Sequence, residues 1–360
     1  MKNIEACTDT IVNDLYSLLK IEGLPIVEIS KPRHYWFIRT QGGSYFDEFF
    51  LDEFVGIGHE DVPCVEESER TDELLEQVKV NHPQATRVLN QVYKFCKEMR
   101  KGDIVIIPSA SSAQFAFGYI EDDDYYKVKV SDEDIDEGKC PYTRRRKTHW
   151  IRGISKGRVD SKLYTFFRNQ QTLSMVDDYS EFIERAIHPF YVKDDIAHLT
   201  LDIRTPESPN AFDIPTYMQG ILYRAKEIAQ ELKLPSKVVS VQSRTNVQSA
   251  GLIELLGNPV FVALAAIIFI GICGGELNIS VVKNAKVTMK TDGLIESITH
   301  AIEKYKNHEI IGESNMKKMV VSRFFRKFIS SASKYRHQMY GFSSSFGCSI
   351  SILNRCSMSI

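Results

Sequence analysis

The chain has 360 residues, with 45 lysines and arginines against 47 aspartates and glutamates. That is long enough for two folded units and too evenly charged for a bulk polycation, so any nucleic-acid or membrane surface must be local. Its cysteines, Cys7, Cys64, Cys96, Cys140, Cys273, Cys348 and Cys356, are scattered without a Cys-x-x-Cys pair, which fits neither zinc ligation nor a secreted disulfide framework and points to reduced thiols in the cytoplasm.

The opening stretch MKNIEACTDT carries acidic residues and no apolar core, so no secretory signal is expected there. A short helix over residues 10–19 places Ile11, Leu15, Leu18 and Leu19 on one side. From Arg33 the texture turns aromatic and β-branched: HYWFIRT reads as a strand, QGGS as a turn, and a second strand follows over residues 54–57. Residues 72–99 have helical periodicity and are divided into two helices by Pro83. KGDIVIIPS, AQFAFGYIE and YYKVKVS then read as a meander of three strands. The basic run TRRRKTHW and a polar segment through RNQQTLSMV lead to a helix near residues 181–186.

Beyond Pro189, HLTLDIRTPES reads as a strand, TYMQGILYRAKEIAQELK as an amphipathic helix and SKVVSVQSR as a β-rich run. Residues 255–275 contain no charged side chain and lack the polar face of a soluble surface helix. The expectation is a membrane-inserted helix near the short limit of a span, with a buried core helix as the alternative. A strand-like NISVVKNAKVTMKTDG and a helix GLIESITHAIEKYKN come next. The chain ends in a basic tail with Lys317, Lys318, Arg323, Arg326, Lys327, Lys334 and Arg336 among Phe324, Phe325 and Phe328, a pattern suited to an anionic lipid surface or a nucleic-acid backbone and equally to a solvated helix face.

The fold class expected is α+β. Residues 1–32 form a leading helix, 33–187 a small β-barrel with flanking helices, 188–250 a small α/β connecting region, 251–279 a single apolar helix, and 280–360 a C-terminal region with the basic tail.

Two segments carry the chemistry of recognition. On the first strand Trp36 can face a ligand, with Arg39 and Thr40 following, while Tyr35 and Phe37 pack inward. In RKGDIVIIPSASSAQFAFGYI a buried strand ends at Pro108, so Ser109, Ser111 and Ser112 emerge at the mouth of the barrel, where hydroxyls can meet a ligand edge. The run Arg144, Arg145, Arg146 and Lys147 supplies phosphate-directed charge, with a solvated loop as the plainer reading. Acidic residues at 122–124 and 132–137 count against a duplex partner unless they face elsewhere.

YWFIRT, RKGD before an apolar strand, the Pro-Ser turn and AFGYI resemble, in that order, the EVE and YTH-type members of the PUA-like superfamily. With IGHED in place of an Ile-Gly-Trp-Asp pattern and the later RRRKTHW, the first half of the chain is also similar to the N-terminal sensor domains of Mrr-type restriction proteins. The resemblance implies a PUA-like pocket for a flipped or modified base. On the matching positions Trp36 is the stacking wall and Ser109 the edge-reading hydroxyl, with Arg39 at the rim and Thr40 and Ser111 beside them. His59, a further candidate ligand contact, stands where the family pattern has tryptophan, which removes one aromatic plate.

No Gly-x-Ser-x-Gly elbow, His-Glu-x-x-His pair or Walker loop is present. No catalytic residue, metal ligand or cofactor is therefore expected. The function expected is binding of a nucleic-acid base or nucleotide-like ligand by a cytoplasmic sensor, coupled to a membrane-associated C-terminal half with membrane lipid as a further partner, in bacterial anti-phage defence and with self-association open. The alternatives are a metal-dependent nuclease centred on Asp202 within residues 191–237 and a membrane-tethered scaffold.

Overall fold

The computed structural model describes residues 16–17, 26–168, 171–202, 213–231, 234–245, 252–273, 276–281 and 285–290. The expected helices over 10–19 (apart from Tyr16 and Ser17) and 293–307, and the basic tail, lie outside the described residues. Two compact units are formed, one holding Lys31–Ile187 and the other the described residues on either side of it. The architecture is mixed α and β, and the sheet of the first unit curls strongly into a half-barrel.

The strands, in chain order, are β1 (Val27–Ile29), β2 (Tyr35–Ile38), β3 (Phe54–Ile57), β4 (Ile104–Pro108), β5 (Gln114–Ile120), β6 (Tyr126–Lys127), β7 (Arg144–Ser155) and β8 (Leu173–Met175). In the Lys31–Ile187 unit the sheet order is β3-β7-β5-β4-β2-β8, with β6 beside β7. β2 and β4 are parallel and the other pairs antiparallel. The long β7 pairs with β3 through its first four residues and with β5 through the rest. A register shift between Phe117 and Gly118 bends the sheet at that junction. Gly118 permits it, since a Cβ there would stand 2.7 Å from the His149 carbonyl oxygen and 2.8 Å from the Trp150 ring.

Both faces of this sheet are buried. Trp36, Ile38, Val105, Ile107 and Ala116 face one core, shared with α1 (Phe46–Leu51), α2 (Asp72–Asn81) and α3 (Ala85–Tyr93). Tyr35, Phe37, Ile104, Ile106, Phe115 and Phe117 face the other, closed by residues 159–167 and α4 (Ser180–Ile187). Pro83 falls in the break between α2 and α3, where it cannot supply a helical N–H. Thr71 caps α2 by accepting from the Leu74 N–H.

Two sequence expectations are corrected here. YYKVKVS contributes only the two-residue β6, and the strand that completes the meander is β7, which begins with the basic run itself. Strand alternation turns Arg144 and Arg146 inward and leaves Arg145 half-exposed and Lys147 exposed, so the run is not a solvated loop.

The second unit is a sheet of order β1-β9-β10-β12-β11, with β9 (Phe190–Lys193), β10 (Ile196–Asp202), β11 (Val241–Thr245) and β12 (Leu252–Gly257). Asp194 and Asp195, both with positive φ, make the two-residue turn between β9 and β10. α5 (Asp213–Glu231) and α6 (Pro259–Cys273) contribute to one core with Leu199, Leu201, Ile253 and Leu255. The segment expected as a membrane helix is divided: Leu255 and Gly257 belong to β12, and α6 follows, its Val260 N–H capped by the Asn258 side chain. Fifteen helical residues reach about 22 Å at 1.5 Å each, short of a hydrocarbon core of roughly 30 Å. Among the described residues no helix is long and apolar enough to cross a membrane. Val260–Phe269 are buried all round, which accounts for the missing polar face. β13 (Glu276–Val281) and β14 (Ala285–Lys290) form a separate antiparallel pair.

Candidate functional site

β2 and β4 run parallel, so the chain leaves both at the same end of the sheet. The two loops that follow, residues 39–45 and 109–113, touch through their main chains. Gly43 has φ +105°, and a Cβ there would lie 2.2 Å from the Ala110 nitrogen and 2.8 Å from the Ser109 carbonyl carbon, so no larger residue fits. The Thr40 hydroxyl donates to the Pro108 carbonyl, and the Thr40 carbonyl accepts from the N–H groups of Gly43 at 3.0 Å and Tyr45 at 3.2 Å. In the second loop Ser109 and Gln114 close a turn in both directions, each bond 2.9 Å long.

This pairing comes with backbone strain. Gln41, Ser111 and Ser112 have φ of 51°, 54° and 53°, in the left-handed region where non-glycine residues pay about 1–3 kcal/mol each. The exposed Gln41, Ser44, Ser111 and Gln114 leave amide and hydroxyl groups at the same end of the sheet.

Tyr45 links this loop pair to the loop after β3. Its ring meets that of Tyr142 edge to face at a centroid distance of 5.3 Å. Tyr142 in turn packs on the backbone of Gly56 and Gly58. Burial pushes the Tyr142 phenol up to about 12, and burial also raises Tyr45, so both hydroxyls stay protonated donors at neutral pH. His59, at φ +69°, sits half-buried with its ring edge-on to His82 at 4.9 Å. Burial, the neighbouring His82 and Arg144 hold its pKa below the ordinary histidine value. Asp61 accepts from His82 and Asn81, which draws its carboxyl down to about 2.

The structure thus gathers Arg39, Thr40, Ser109 and Ser111 at one place, and the Tyr45–Tyr142 pair extends from it to Gly56 and Gly58, just before His59 in the chain. Arg39 is half-buried, its guanidinium 5.8 Å from the Phe37 ring centre and donating to the Phe167 carbonyl. Trp36 is not in this group. It is fully buried within the sheet, its indole N–H donating to Asp103 at 2.8 Å, so it presents no face to a ligand. Strand alternation offered Trp36 an outward side, but helices cover that side.

The arginine run is also reassigned. Arg144 donates to the carbonyls of His59, Glu60 and Val62, pinning the loop after β3. Arg145 lies 4.0 Å over the Phe54 ring and donates to the carbonyls of Tyr142 and Cys140. Arg146, wholly buried, donates to the carbonyls of Phe95, Cys96, Asp122 and Asp123. Lys147 alone is exposed, 4.0 Å from the Asp122 carboxylate. These guanidinium groups donate to main-chain carbonyls of the first unit. Sequence reasoning missed Gly43, Tyr45 and Tyr142. The paired glycines of QGGS carried a signal for the first, since a turn needing positive φ selects them.

Residues 36–175 match the family model described as Domain of unknown function (DUF8426). The DUF8426 match opens at Trp36 and closes at Met175, which are register partners in β2 and β8, so its limits coincide with the two strands that border each other at the sheet edge. Every loop of the candidate site lies inside it. No curated protein and no solved structure matches the chain. Asp202, the residue of the nuclease alternative, ends β10, and its side chain lies outside the described part of the structure.

Proposed function

We propose that the Lys31–Ile187 unit is a PUA-like reader that takes a single unstacked nucleobase, or a nucleotide-like ligand, between its loops. The observation that carries this reading is the backbone contact between Gly43 and Ala110, with left-handed Gln41, Ser111 and Ser112 around it. Strain of this kind persists where surrounding structure enforces it, and it clusters at ligand clamps. Tyr45 and Tyr142 take the stacking role first given to Trp36, and Ser109, Ser111 and Gln41 supply edge contacts. The chemistry asked of the site is binding alone: aromatic faces, neutral hydroxyls and amides, and no paired acid and base.

Gly43→Ala tests the reading directly. The added methyl forces the two loops apart without touching either core, so affinity for a single-stranded oligonucleotide should fall by at least about tenfold, the scale of one lost base-stacking contact. Fluorescence anisotropy measures it, with thermal unfolding as the check on the fold. Equal affinity of the two proteins would remove the loop pair from the binding site.

A further inference from the structure

Cys64 and Cys96 stand far apart in the chain, with α2 and α3 between them, and the fold brings their side chains together. Cys96 lies in a single turn of π-helix, Lys94–Glu98, that follows α3. Such turns occur mostly singly and often at functional positions. Cys96 is buried, and Cys64, on the segment after β3, is half-buried against the same core. The two thiols lie within hydrogen-bond reach of each other.

Both backbones are held by one strand. Arg144 donates to the carbonyls of His59, Glu60 and Val62, the last of these two residues short of Cys64. Arg146, also turned inward from β7, donates to the carbonyls of Phe95 and of Cys96 itself, at 2.6 and 3.1 Å. The segment after β3 and the π-turn are therefore fixed on a common support, which sets the two sulfur atoms against each other. Burial pushes the Cys96 thiol up to about 12, and the nearby guanidinium groups of Arg144 and Arg146 offset only part of that. Cys96 alone is thus a protonated thiol of low reactivity, and the half-buried Cys64 is the sulfur that a small oxidant meets first. Cys140, buried beside Tyr142, Glu48 and Arg145, serves as the comparison.

We propose that Cys64 and Cys96 are a dithiol that a hydroperoxide closes reversibly to a disulfide. The Cys64 sulfur attacks one peroxide oxygen: an S–O bond forms, the O–O bond breaks, and the departing hydroxide takes the thiol proton and leaves as water. The Cys96 sulfur then attacks the sulfenic sulfur of Cys64. The S–S bond forms as the S–O bond breaks, and the Cys96 proton leaves with the hydroxide as a second water. Two electrons pass from sulfur to peroxide. A dithiol reductant reverses the bond by exchange and returns both protons. The bond ties the segment after β3 to the end of α3, restricts the unfolded chain across α2 and α3, and so raises stability. The proposal is independent of the base-reader reading.

The test uses the full chain with hydrogen peroxide as the oxidant. Reduced protein is treated with a small excess, the remaining thiols are blocked with iodoacetamide, and a non-reducing digest is read by mass spectrometry. A cross-linked peptide pair joining Cys64 to Cys96 should appear, lighter by two hydrogen atoms than its parts, and dithiothreitol should remove it. The urea midpoint of the oxidised protein should lie above that of the reduced protein, and Cys140→Ala should form the same cross-link. In Cys96→Ala, dimedone should trap Cys64 as a sulfenic acid. In Cys64→Ala, Cys96 should stay unmodified, each variant first being shown to fold by thermal unfolding. The cross-link itself is read in the wild-type chain, so a variant that fails to fold leaves the test intact. Three results each overturn the proposal: Cys64 untouched by peroxide, Cys64 oxidised past the sulfenic acid while Cys96 remains a free thiol, or Cys64 cross-linked only to other cysteines such as Cys140.

Discussion

Trp36 and His59 are both ligand-contact candidates by sequence, and each owes its position to a local interaction. Trp36 is wholly buried, and Asp103 accepts from its indole N–H, from the His34 N–H and from the Arg100 N–H. The pair therefore joins β2 to the turn that starts β4. Trp36→Phe keeps most of the apolar volume but takes one donor from a buried carboxylate, at a cost of about 1–3 kcal/mol. Urea unfolding should show that loss of stability with oligonucleotide affinity unchanged, and a loss of affinity at full stability would restore Trp36 to the site.

His59 gives a pH signature. Its folded pKa is lowered by burial, by His82 and by Arg144, so between that value and the ordinary 6.5 or so the unfolded chain binds the extra proton and the folded chain does not. The linked stability is present above about pH 6.5 and is lost as the pH falls toward the folded value. His34 has the opposite sign: its bond to Asp177 raises its pKa, so its contribution is present below about pH 6.5 and lost as the pH rises through the raised value. His59→Asn, which tolerates the left-handed backbone, should flatten the fall in stability between about pH 6.5 and 5. Urea midpoints measured across that range decide the matter, and superimposable profiles would show that His59 titrates alike in both states.

At the scale of elements, β7 is the clearest case of what the sequence hides. β2, β3, β4 and β5 were legible because aromatic and β-branched runs bounded by Gly, Pro and Ser have few other uses. Pro83 marked the break between α2 and α3 for the same kind of local reason. β7 opens with Arg-Arg-Arg-Lys, and side-chain charge carries no information about where a distant carbonyl will be. Arg146 finds its partners at Phe95 and Cys96, about fifty positions earlier, and at Asp122 and Asp123. The site was legible to the same extent: the serine-bearing turn and Arg39–Thr40 were visible as punctuation, whereas the meeting of Tyr45 with Tyr142 depends on a pairing nearly a hundred residues apart. Arg146→Met leaves those carbonyls without their donor and should cost at least about 3 kcal/mol. Arg146→Lys should not recover it, because a point charge cannot replace the planar fork. Denaturant midpoints read both changes, and a fully stable Arg146→Met protein with weakened oligonucleotide binding would return this arginine to the phosphate-contacting role.

At the scale of the whole molecule, two units divide the apolar side chains of the described residues between them, the first around a core on each face of its sheet and the second around a single core. Within the apolar run that reads as a span, Val260–Phe269 belong to the second unit's core, and a helix buried on every side and a helix in lipid call for the same composition. The first unit holds the loop pair at one end of β4 and β5 and the acidic tract at the other. That separation makes a nearly neutral chain compatible with an anionic ligand. The central claim is that a base is held between the loops, and it is tested most directly by anisotropy titrations of single-stranded 12-mers that differ only at the middle position, which is abasic or carries cytosine, adenine or a methylated form of either. At least one base should bind about tenfold or more tightly than the abasic strand. Identical affinity for the abasic strand and for every base would contradict it.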